Sequence, residues 1–437
     1  MLYVHEPVRK MQKFGDKRAA ESSMCDDKSE SSAIVLNKED VIGARKACMG
    51  SNVSVSYSSE PLMMLRGRGS WLYDETGRRY LDCVNNVAHV GHCHPKVAAA
   101  SCEQLGLLNT NSRYLHPKRV SYAQRLLATF PPHLGLDTVF MVCSGSEAHD
   151  ILVLGGAYHG HTSALIELSP YKAPAPDVYR GPVRRDHPRP GPAYADLLAD
   201  VIRDEVTAKG RKLAAFFAES IPGCAGQLVP PEGYLRAAFE HARAAGAVCI
   251  ADEVQTGFGR MGSAFWAFDA QGAAPDVVTL GKPIGNGYPM AAVVTRRDIA
   301  QAFANGMEYF NTFGGSTAAC AVGVAVLDVI AADGLQANAA DVGVYVLARL
   351  RTLQEKHQLI GDVRGMGLFV GVELVTDRDR RAPAPEQAAA VALACRRRGV
   401  LVSTDGRHHN VLKIKPPLCF SRDPLSTLPE WSTSMCT

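Results

Sequence analysis

Short apolar segments alternate with helical patterns along the middle of the chain, and this alternation restricts the fold more than any other feature of the sequence. Four apolar runs have the length of buried strands: residues 138–143, 213–218, 247–251 and 277–280. Between them, residues 194–202 and 232–245 carry apolar side chains at helical spacing. Strands separated by helices favour a mostly parallel, doubly wound α/β sheet. Ligands bind such sheets beyond the carboxyl ends of the strands.

The length and charge of the chain exclude several classes of protein. A chain of 437 residues is long enough for two domains. Its net charge of +3 is too weak to indicate a nucleic-acid or membrane partner, and no apolar run approaches the roughly 18 residues of a spanning helix. We therefore expect neither nucleic acid nor membrane among its partners. The 12 cysteines form no regular framework, which favours reduced thiols in an intracellular compartment.

One local group of cysteines and histidines has side chains that could bind a metal. The group comprises Cys83, His89, His92, Cys93 and His94. The paired Cys-x-x-Cys spacing of common structural zinc sites is absent from it. We therefore predict no metal site in this chain.

Four places along the chain carry groups suited to catalysis. Asp252 could pair with a protonated ring nitrogen, or it could cap a helix. Lys282 follows an apolar strand inside a glycine-rich turn, where it could act as an amine nucleophile or remain a surface lysine. Residues 144–147 could bind a phosphate through backbone N–H groups or begin an ordinary helix. Tyr158 could lie on a planar ring or pack in the core. Spacing alone leaves each alternative open.

The order of these segments resembles that of class III aminotransferases, which are pyridoxal phosphate (PLP) enzymes of fold type I. The resemblance covers about residues 40–420 and depends on five segments: Ser144-Gly145-Ser146-Glu147-Ala148, Ala157-Tyr158-His159-Gly160, residues 251–260, Gly281-Lys282, and Asn311-Thr312-Phe313-Gly314-Gly315. It implies pyridoxal 5'-phosphate as cofactor and a smaller α+β C-terminal domain beside the main sheet. It also implies a homodimer whose active sites are shared at the subunit interface.

The resemblance implies a role for individual residues. Lys282 would hold PLP as a Schiff base and transfer protons. Asp252 would pair with the pyridine nitrogen, Gln255 would lie near the ring and Tyr158 would stack on it. Three further residues would hold the PLP phosphate: Gly145, Ser146 and the partner subunit's Thr312.

Three other segments, residues 85–95, 108–116 and 412–417, resemble the phospho-lyase branch of this family. Members of that branch act on 5-phosphohydroxy-L-lysine or on phosphoethanolamine, and residues 216–220, 313–315 and 403–406 are more similar to the first type. The resemblance implies removal of phosphate and ammonia from a small phosphorylated amine. Many class III aminotransferases carry an arginine, which binds a carboxylate, where this chain has Lys413. Lysine is a point charge and not a bidentate fork, so this difference favours a lyase over a transaminase.

A phosphorylated substrate requires basic side chains around its phosphate. The predicted substrate-binding residues are Lys413, Arg113 and Glu219, with Arg180 and Lys415 as further basic candidates. Each of the basic residues could instead be a solvated surface charge.

The chain departs from the family pattern at three places. Only residues 144–150 separate two predicted strands, 138–143 and 151–154, whereas a parallel crossover needs about 10–12 residues. A second gap follows Lys172, and residues 423–429 replace the expected C-terminal helix. These departures lead to the hypothesis that PLP binds weakly or not at all. Two alternatives to the lyase remain open: an ω-amino-acid:keto-acid transaminase, and an inactive family member that only dimerises.

The sequence predicts four segments with different roles. Residues 1–35 are a disordered or targeting extension, 36–85 an N-terminal segment of the small domain, 86–325 the large PLP-binding domain, and 326–437 a truncated small C-terminal domain. The basic composition of the first residues indicates a mitochondrial presequence, with a cytoplasmic location as the alternative. Either Met1 or Met24 could be the first residue translated.

Overall fold

The computed structural model describes residues 37–148, 173–304, 306 and 308–422. By its internal contacts the chain divides into two compact units, Met1–Pro61 and Leu62–Thr437. In the first unit, helix α1 (Lys38–Cys48) begins at Asn37, whose side chain accepts a 2.9 Å hydrogen bond from the backbone of Asp40. The domain boundaries expected from the sequence at residues 35, 85 and 325 stay predictions.

The second unit begins with the small antiparallel sheet that residues 62–83 predict. Its strands are β1 (Met64–Arg68), β2 (Trp71–Asp74) and β3 (Arg79–Asp82). Asp74 holds the turn between β2 and β3, because its Oδ1 accepts 3.0 Å hydrogen bonds from the backbone of Thr76 and Arg78. The short strand β12 (Val400–Leu401) pairs with β3 in parallel, so residues from both ends of the unit share one sheet.

A five-stranded sheet lies at the centre of the second unit and contains the predicted strands. Its order is β4–β8–β7–β6–β5, with β4 at Leu136–Val142, β5 at Ala215–Glu219, β6 at Val248–Asp252, β7 at Val277–Leu280 and β8 at Ala291–Arg296. The strands β5, β6 and β7 are parallel, and β8 runs antiparallel to both of its neighbours. Every residue of β5 is buried, as expected for a strand covered on both faces. The predicted α/β fold is confirmed, but the described sheet is mixed and not mostly parallel, with two parallel and two antiparallel pairings.

Seven helices accompany this sheet in the described part of the unit. They are α2 (Pro95–Leu107), α3 (Pro117–Leu127), α4 (Pro190–Val201), α5 (Tyr234–Ala244), α6 (Ala267–Ala270), α7 (Arg297–Phe303) and α8 (Thr317–Ala332). Helix α8 is almost wholly buried and packs against α2 and α3, while α4 packs against α5. Trp266 is 1% exposed and stacks on Phe130 with ring centroids 4.5 Å apart, which fixes the segment after β6 in the core.

A second five-stranded sheet is formed by the C-terminal part of the unit. Its strands are β9 (Ile360–Met366), β10 (Phe369–Asp377), β11 (Ala382–Pro383), β13 (Ser403–Asp405) and β14 (Val411–Ile414), and helices α9 (Leu335–Lys356) and α10 (Pro385–Arg397) accompany them. The sequence suggests one strand at 363–375, but Gly367 with φ of 54° turns the chain into the hairpin β9–β10. The single helical stretch expected at 326–354 is likewise divided at Gly334, where φ is 60°.

Among the described helices none is by itself long and apolar enough to cross a membrane; α8 and α9 reach that length and composition only as a pair bent by 58°. Ten cysteines in the described ranges are free thiols. The predicted strand 151–154, the gap after Lys172 and residues 423–429 lie partly or wholly outside the described residues.

Candidate active site

Three parallel strands end at one edge of the central sheet, and each places a polar side chain there. Glu219, Asp252 and Thr279 are neighbours in the register of β5, β6 and β7, and each is at most 4% exposed. Lys282 follows β7 closely, is half-buried and begins the short turn Lys282–Gly285. The fold therefore brings Asp252 and Lys282 to the carboxyl edge of the sheet, where ligands bind in folds of this class.

Glycine residues bring a fourth segment against this edge. A Cβ atom added to Gly145 would lie 3.0 Å from Cγ1 of Val254. One added to Gly281 would lie 3.0 Å from the same atom and 3.4 Å from Cα of Gly145. The segment after β4, the segment after Asp252 and the turn containing Lys282 are therefore in direct contact, and glycine at both positions permits this approach.

The Ser-Gly-Ser-Glu segment folds as a short turn, Gly145–Ala148, which is held by its own glutamate. One carboxylate oxygen of Glu147 accepts hydrogen bonds from the backbone N–H groups of Cys143 and Ser144 at 2.6 and 3.3 Å. The side-chain amide of Asn311 donates to the same oxygen at 3.5 Å. The segment 311–315 therefore lies beside the end of β4, and Thr312 within it is exposed.

The adjacent carboxylates Asp252 and Glu253 have different environments. Asp252 accepts a 2.9 Å hydrogen bond from the backbone of Val254 at the end of the strand. Glu253 is fully buried and accepts hydrogen bonds from the hydroxyls of Ser220 and Thr256 at 2.6 and 2.7 Å, and from the backbone of Phe268 at 2.8 Å. Burial raises the pKa of Glu253 to about 7, against these hydrogen bonds, which lower it. Glu253 therefore fixes the segment after β6 in the core.

A buried lysine lies at the same edge of the sheet. Lys415 is 4% exposed, and its Nζ donates a 2.8 Å hydrogen bond to Oε1 of Gln255. The amide of Asn86 approaches the same oxygen at 3.5 Å. Burial and then the charge of Lys413 lower the pKa of Lys415 to about 8, and the charge of Lys282 acts in the same direction. Lys413 and the reactive-lysine candidate Lys282 therefore both lie within electrostatic range of Lys415.

The other predicted substrate-binding residues already have partners. Lys413 lies 3.2 Å from Asp405, and Arg113 is exposed, 3.5 Å from Glu308, with its guanidinium over the ring of Phe310. Glu219 accepts a 2.8 Å hydrogen bond from the backbone of Gly223.

Arg180, a further basic candidate, is paired with Glu373 of β10. In the sequence, Lys415 has the same standing as Arg113, Arg180 and Lys413. Lys415 directly follows β14, and no local pattern in the sequence indicates that it is the buried one of the four.

The cysteine–histidine group does not converge on a common point. His89 is buried and donates a 2.8 Å hydrogen bond to the carbonyl of Phe258, whereas His92 lies 2.7 Å from a carboxylate oxygen of Asp82. Cys93 is exposed. In the described ranges no three side chains of His, Cys, Asp or Glu are arranged to hold a metal ion. Tyr158 lies outside the described residues, and its role stays a prediction.

The sequence model described as Aminotransferase class-III matches residues 53–430 of the chain. The chain belongs to the class III aminotransferase family. One relative is the Drosophila melanogaster protein named alanine–glyoxylate aminotransferase 2-like. It is 44% identical to this chain, and the alignment covers 89% of this chain and 85% of the relative. A Caenorhabditis elegans relative, named ethanolamine-phosphate phospho-lyase homolog 1, is 41% identical, with 89% and 91% covered.

The fold of this class III aminotransferase is shared by a solved bacterial structure. A phospholyase from Arthrobacter, solved in complex with phosphoethanolamine, is 34% identical and superposes with a TM-score of 0.83 over 91% of this chain and 98% of its own. Pyridoxal 5'-phosphate is the cofactor of the family, and the chain is a PLP-dependent enzyme.

The described residues fit this cofactor chemically. The carboxylate of Asp252 is buried at a strand end, where it can balance a protonated pyridine nitrogen. Lys282 supplies a primary amine at the same edge, in a half-buried turn. Gly145 and Gly281 let the segment after β4 and the turn containing Lys282 pack directly against Val254, so the backbone N–H groups of the first segment lie at the same edge as Lys282 and Asp252.

Proposed function

We propose that this chain is a phospho-lyase, which removes phosphate and ammonia from a phosphorylated primary amine such as 5-phosphohydroxy-L-lysine. The observation that carries the proposal is that two sheets bring three lysines together: Lys282 follows β7 of the central sheet, Lys413 lies in β14 of the second sheet, and Lys415 follows β14 and contacts Gln255. The charges of Lys413 and Lys282 both act on buried Lys415. Ammonium groups in such number suit a substrate that carries a phosphate, which has a charge of about −1.5 to −2 at neutral pH. The similarity to the two relatives that are phospho-lyases by name supports the same reading.

In this proposal Lys282 and Asp252 perform the proton chemistry. Bound PLP withdraws electrons from the substrate carbon that bears the amine. Asp252 keeps the ring nitrogen protonated, and Gln255 lies near the ring. The free amine of Lys282 would take the proton from that carbon. Gly145, Ser146, Tyr158 and the partner subunit's Thr312 are proposed to position the cofactor.

The phosphate departs from the carbon next to the deprotonated one. The basic side chains at the site stabilise the negative charge that the leaving phosphate carries. Lys413 and Arg113 are proposed contacts of the substrate, with Glu219 buried at the end of β5 beside Asp252. Hydrolysis of the remaining unsaturated amine gives an aldehyde and ammonia, so each turnover releases one phosphate and one ammonia.

Phosphate release tests the proposal. The purified PLP-loaded protein is incubated separately with 5-phosphohydroxy-L-lysine and with phosphoethanolamine, and phosphate and ammonia are quantified. We expect equal amounts of both products from at least one substrate, and none from the Lys282→Ala variant. Absence of phosphate release from both substrates by the unaltered protein would refute the lyase.

The runner-up function is an ω-amino-acid:keto-acid transaminase. The name of the Drosophila relative, alanine–glyoxylate aminotransferase 2-like, favours it. The same deprotonation begins transamination, but no group leaves from the neighbouring carbon. Amino transfer that requires a keto acid and proceeds without phosphate release would identify this function.

We propose that the enzyme works as a homodimer with shared active sites. Large apolar side chains remain exposed on the described chain. Among them are Leu107, Tyr114, Leu115 and Phe313, which are between 70% and 102% exposed. Phe313 is adjacent to Thr312, the residue proposed to reach the partner's cofactor. Sedimentation of the unaltered protein and of Leu115→Asp tests the assembly, with a monomeric unaltered enzyme as the contrary result.

We also propose mitochondrial targeting, on the basic composition of the first 18 residues. A fluorescent fusion of the full chain that remained in the cytoplasm would refute this.

A further inference from the structure

Four basic residues were candidates for the substrate phosphate, and they differ in whether a carboxylate already neutralises them. Arg113 is paired with Glu308, Arg180 with Glu373 and Lys413 with Asp405. Lys415 forms no ion pair within 4.0 Å among the residues that the structure describes. Its hydrogen-bond partner is the neutral amide of Gln255.

Lys415 is also the most buried of the four. Its residue is 4% exposed, whereas the side chains of Lys413 and Arg180 are each 23% exposed and that of Arg113 is 54% exposed. A charged ammonium buried without a counterion is strongly unfavourable, and an anion that binds beside it removes that cost. The ring of Phe369, with its centroid 5.3 Å from Nζ, closes one side of the ammonium with an aromatic face that carries no charge to neutralise it.

The surroundings of Lys415 place it at the active-site edge. Gln255, which accepts its hydrogen bond, lies in the segment that follows Asp252. The charge of Lys282 acts on Lys415, so the two ammonium groups share one neighbourhood. Cys224 and Asp405 also act on Lys415, and Asp405 is already engaged by Lys413. An anionic group of a substrate held at Lys282 would therefore supply the missing counterion.

We propose that Lys415 binds the phosphate of the substrate and thereby sets the preference of the site for phosphorylated amines over unphosphorylated ones. This inference rests on the proposed function, because it assigns the substrate's phosphate to one residue of that site. Lys413 and Arg113 then act at the periphery, where their own carboxylate partners already balance their charge.

Two affinities of the PLP-loaded enzyme test the assignment. Calorimetry gives the Kd of inorganic phosphate, and the change in PLP absorbance gives the Kd of ethanolamine, which lacks the phosphate. The variants are Lys415→Met, a neutral side chain of similar length, Lys415→Gln as a second neutral variant, and Lys415→Arg, which keeps the charge. Lys209→Met, at an exposed lysine paired with Glu205, controls for the loss of one positive charge.

We expect both neutral variants to raise the Kd of phosphate roughly 10- to 100-fold, as for loss of one charge-assisted hydrogen bond. Their Kd for ethanolamine should change by no more than about twofold, and Lys415→Arg should recover most of the phosphate affinity. Unchanged phosphate affinity in Lys415→Met and Lys415→Gln overturns the assignment. So does an equal loss of affinity for phosphate and ethanolamine, which would mean that Lys415 only positions Gln255.

Phosphate release by the unaltered enzyme separates this inference from the proposed function. An enzyme that releases phosphate, but whose Lys415 variants bind phosphate normally, refutes the role of Lys415 alone. An enzyme that releases none refutes the lyase, and the change in phosphate affinity still decides whether Lys415 is an anion-binding residue.

Discussion

Replacing Glu253 with glutamine should change how the stability of the protein depends on pH. Glu253 is fully buried next to Asp252, and burial raises its pKa to about 7. A glutamate in an unfolded chain has a pKa of about 4.3. The folded protein therefore holds a proton on Glu253 between about pH 4.5 and pH 7, where the unfolded chain has already lost it.

The sign and size of the effect follow from this difference. Because the folded state binds the extra proton, the stabilising contribution is complete below about pH 4.3 and is lost as the pH rises through about 7. A shift of about 2.5 units corresponds to roughly 3 kcal/mol of unfolding free energy lost over that interval. In Glu253→Gln the side-chain carbonyl can still accept a hydrogen bond from the backbone N–H of Phe268, and the side-chain amide can still bond the hydroxyls of Ser220 and Thr256. The glutamine cannot ionise.

Urea unfolding of the PLP-loaded protein and of Glu253→Gln at several pH values between 5 and 7.5 provides the measurement. We expect the stability of the variant relative to the unaltered protein to increase by about 3 kcal/mol as the pH rises across this range. Glu205→Gln, at an exposed glutamate paired with Lys209, controls for the loss of one carboxylate. Parallel pH profiles for Glu253→Gln and the unaltered protein would show that Glu253 ionises normally, and the argument from burial would be wrong.

Three further changes have definite expected outcomes. Lys282→Ala should abolish the visible absorbance of covalently held PLP after gel filtration and lower the rate of phosphate release by roughly 10³-fold or more. An absorbance band retained by this variant would show that another group holds the cofactor. Absence of the band from the unaltered protein would support the hypothesis of weak PLP binding. Lys415→Met should raise the unfolding free energy at pH 7 by about 3 kcal/mol, because a lysine whose pKa falls from 10.5 to about 8 on folding destabilises the fold below about pH 8 and ceases to do so towards about pH 10.4. A lower Tm of the variant at pH 7 contradicts this. Gly314→Ala should destabilise the protein by about 2 kcal/mol or more, since the added Cβ would lie 2.2 Å from the carbonyl oxygen of Met141; an unchanged Tm would show that segment 311–315 can move away from β4.

The strands could be predicted from the sequence where an apolar run has a clear beginning and end. The bounds of β7 and β14 coincide with the apolar runs 277–280 and 411–414, because buried strands are short and end at polar or glycine residues. The hairpin β9–β10 was wrongly expected as one strand, since Gly365 and Gly367 interrupt an otherwise continuous β pattern. A glycine with positive φ has no sequence signal that separates it from a glycine in extended backbone.

The candidate site was predictable only in part. The order of the motifs along the chain identified Asp252, Lys282 and Gly145 as candidates. The structure adds that Gly145 and Gly281, which precedes Lys282, both lie against Val254 in the segment after Asp252. The distinction between Lys413 and Lys415 could not be predicted, because it depends on partners that are distant in the sequence. Asp405 reaches Lys413 from the neighbouring strand β13, whereas Lys415, directly after β14, contacts Gln255. Tertiary contacts, and not local sequence, therefore decide which lysine has a carboxylate partner among the described residues.

Glu253 and Lys415 have opposite charges, yet burial shifts the pKa of each towards neutrality, to about 7 and about 8. In both cases the first cause is burial, which disfavours the charged form of the side chain. In such surroundings an ionic contact is stronger than on the surface, so a single unpaired ammonium can distinguish a phosphorylated amine from an unphosphorylated one. Under the proposed assignment, the cost of burying Lys415 falls on the free enzyme, and the phosphate of a substrate would remove that cost on binding. An unphosphorylated amine would leave the cost in place, so the same buried charge would favour phosphorylated substrates.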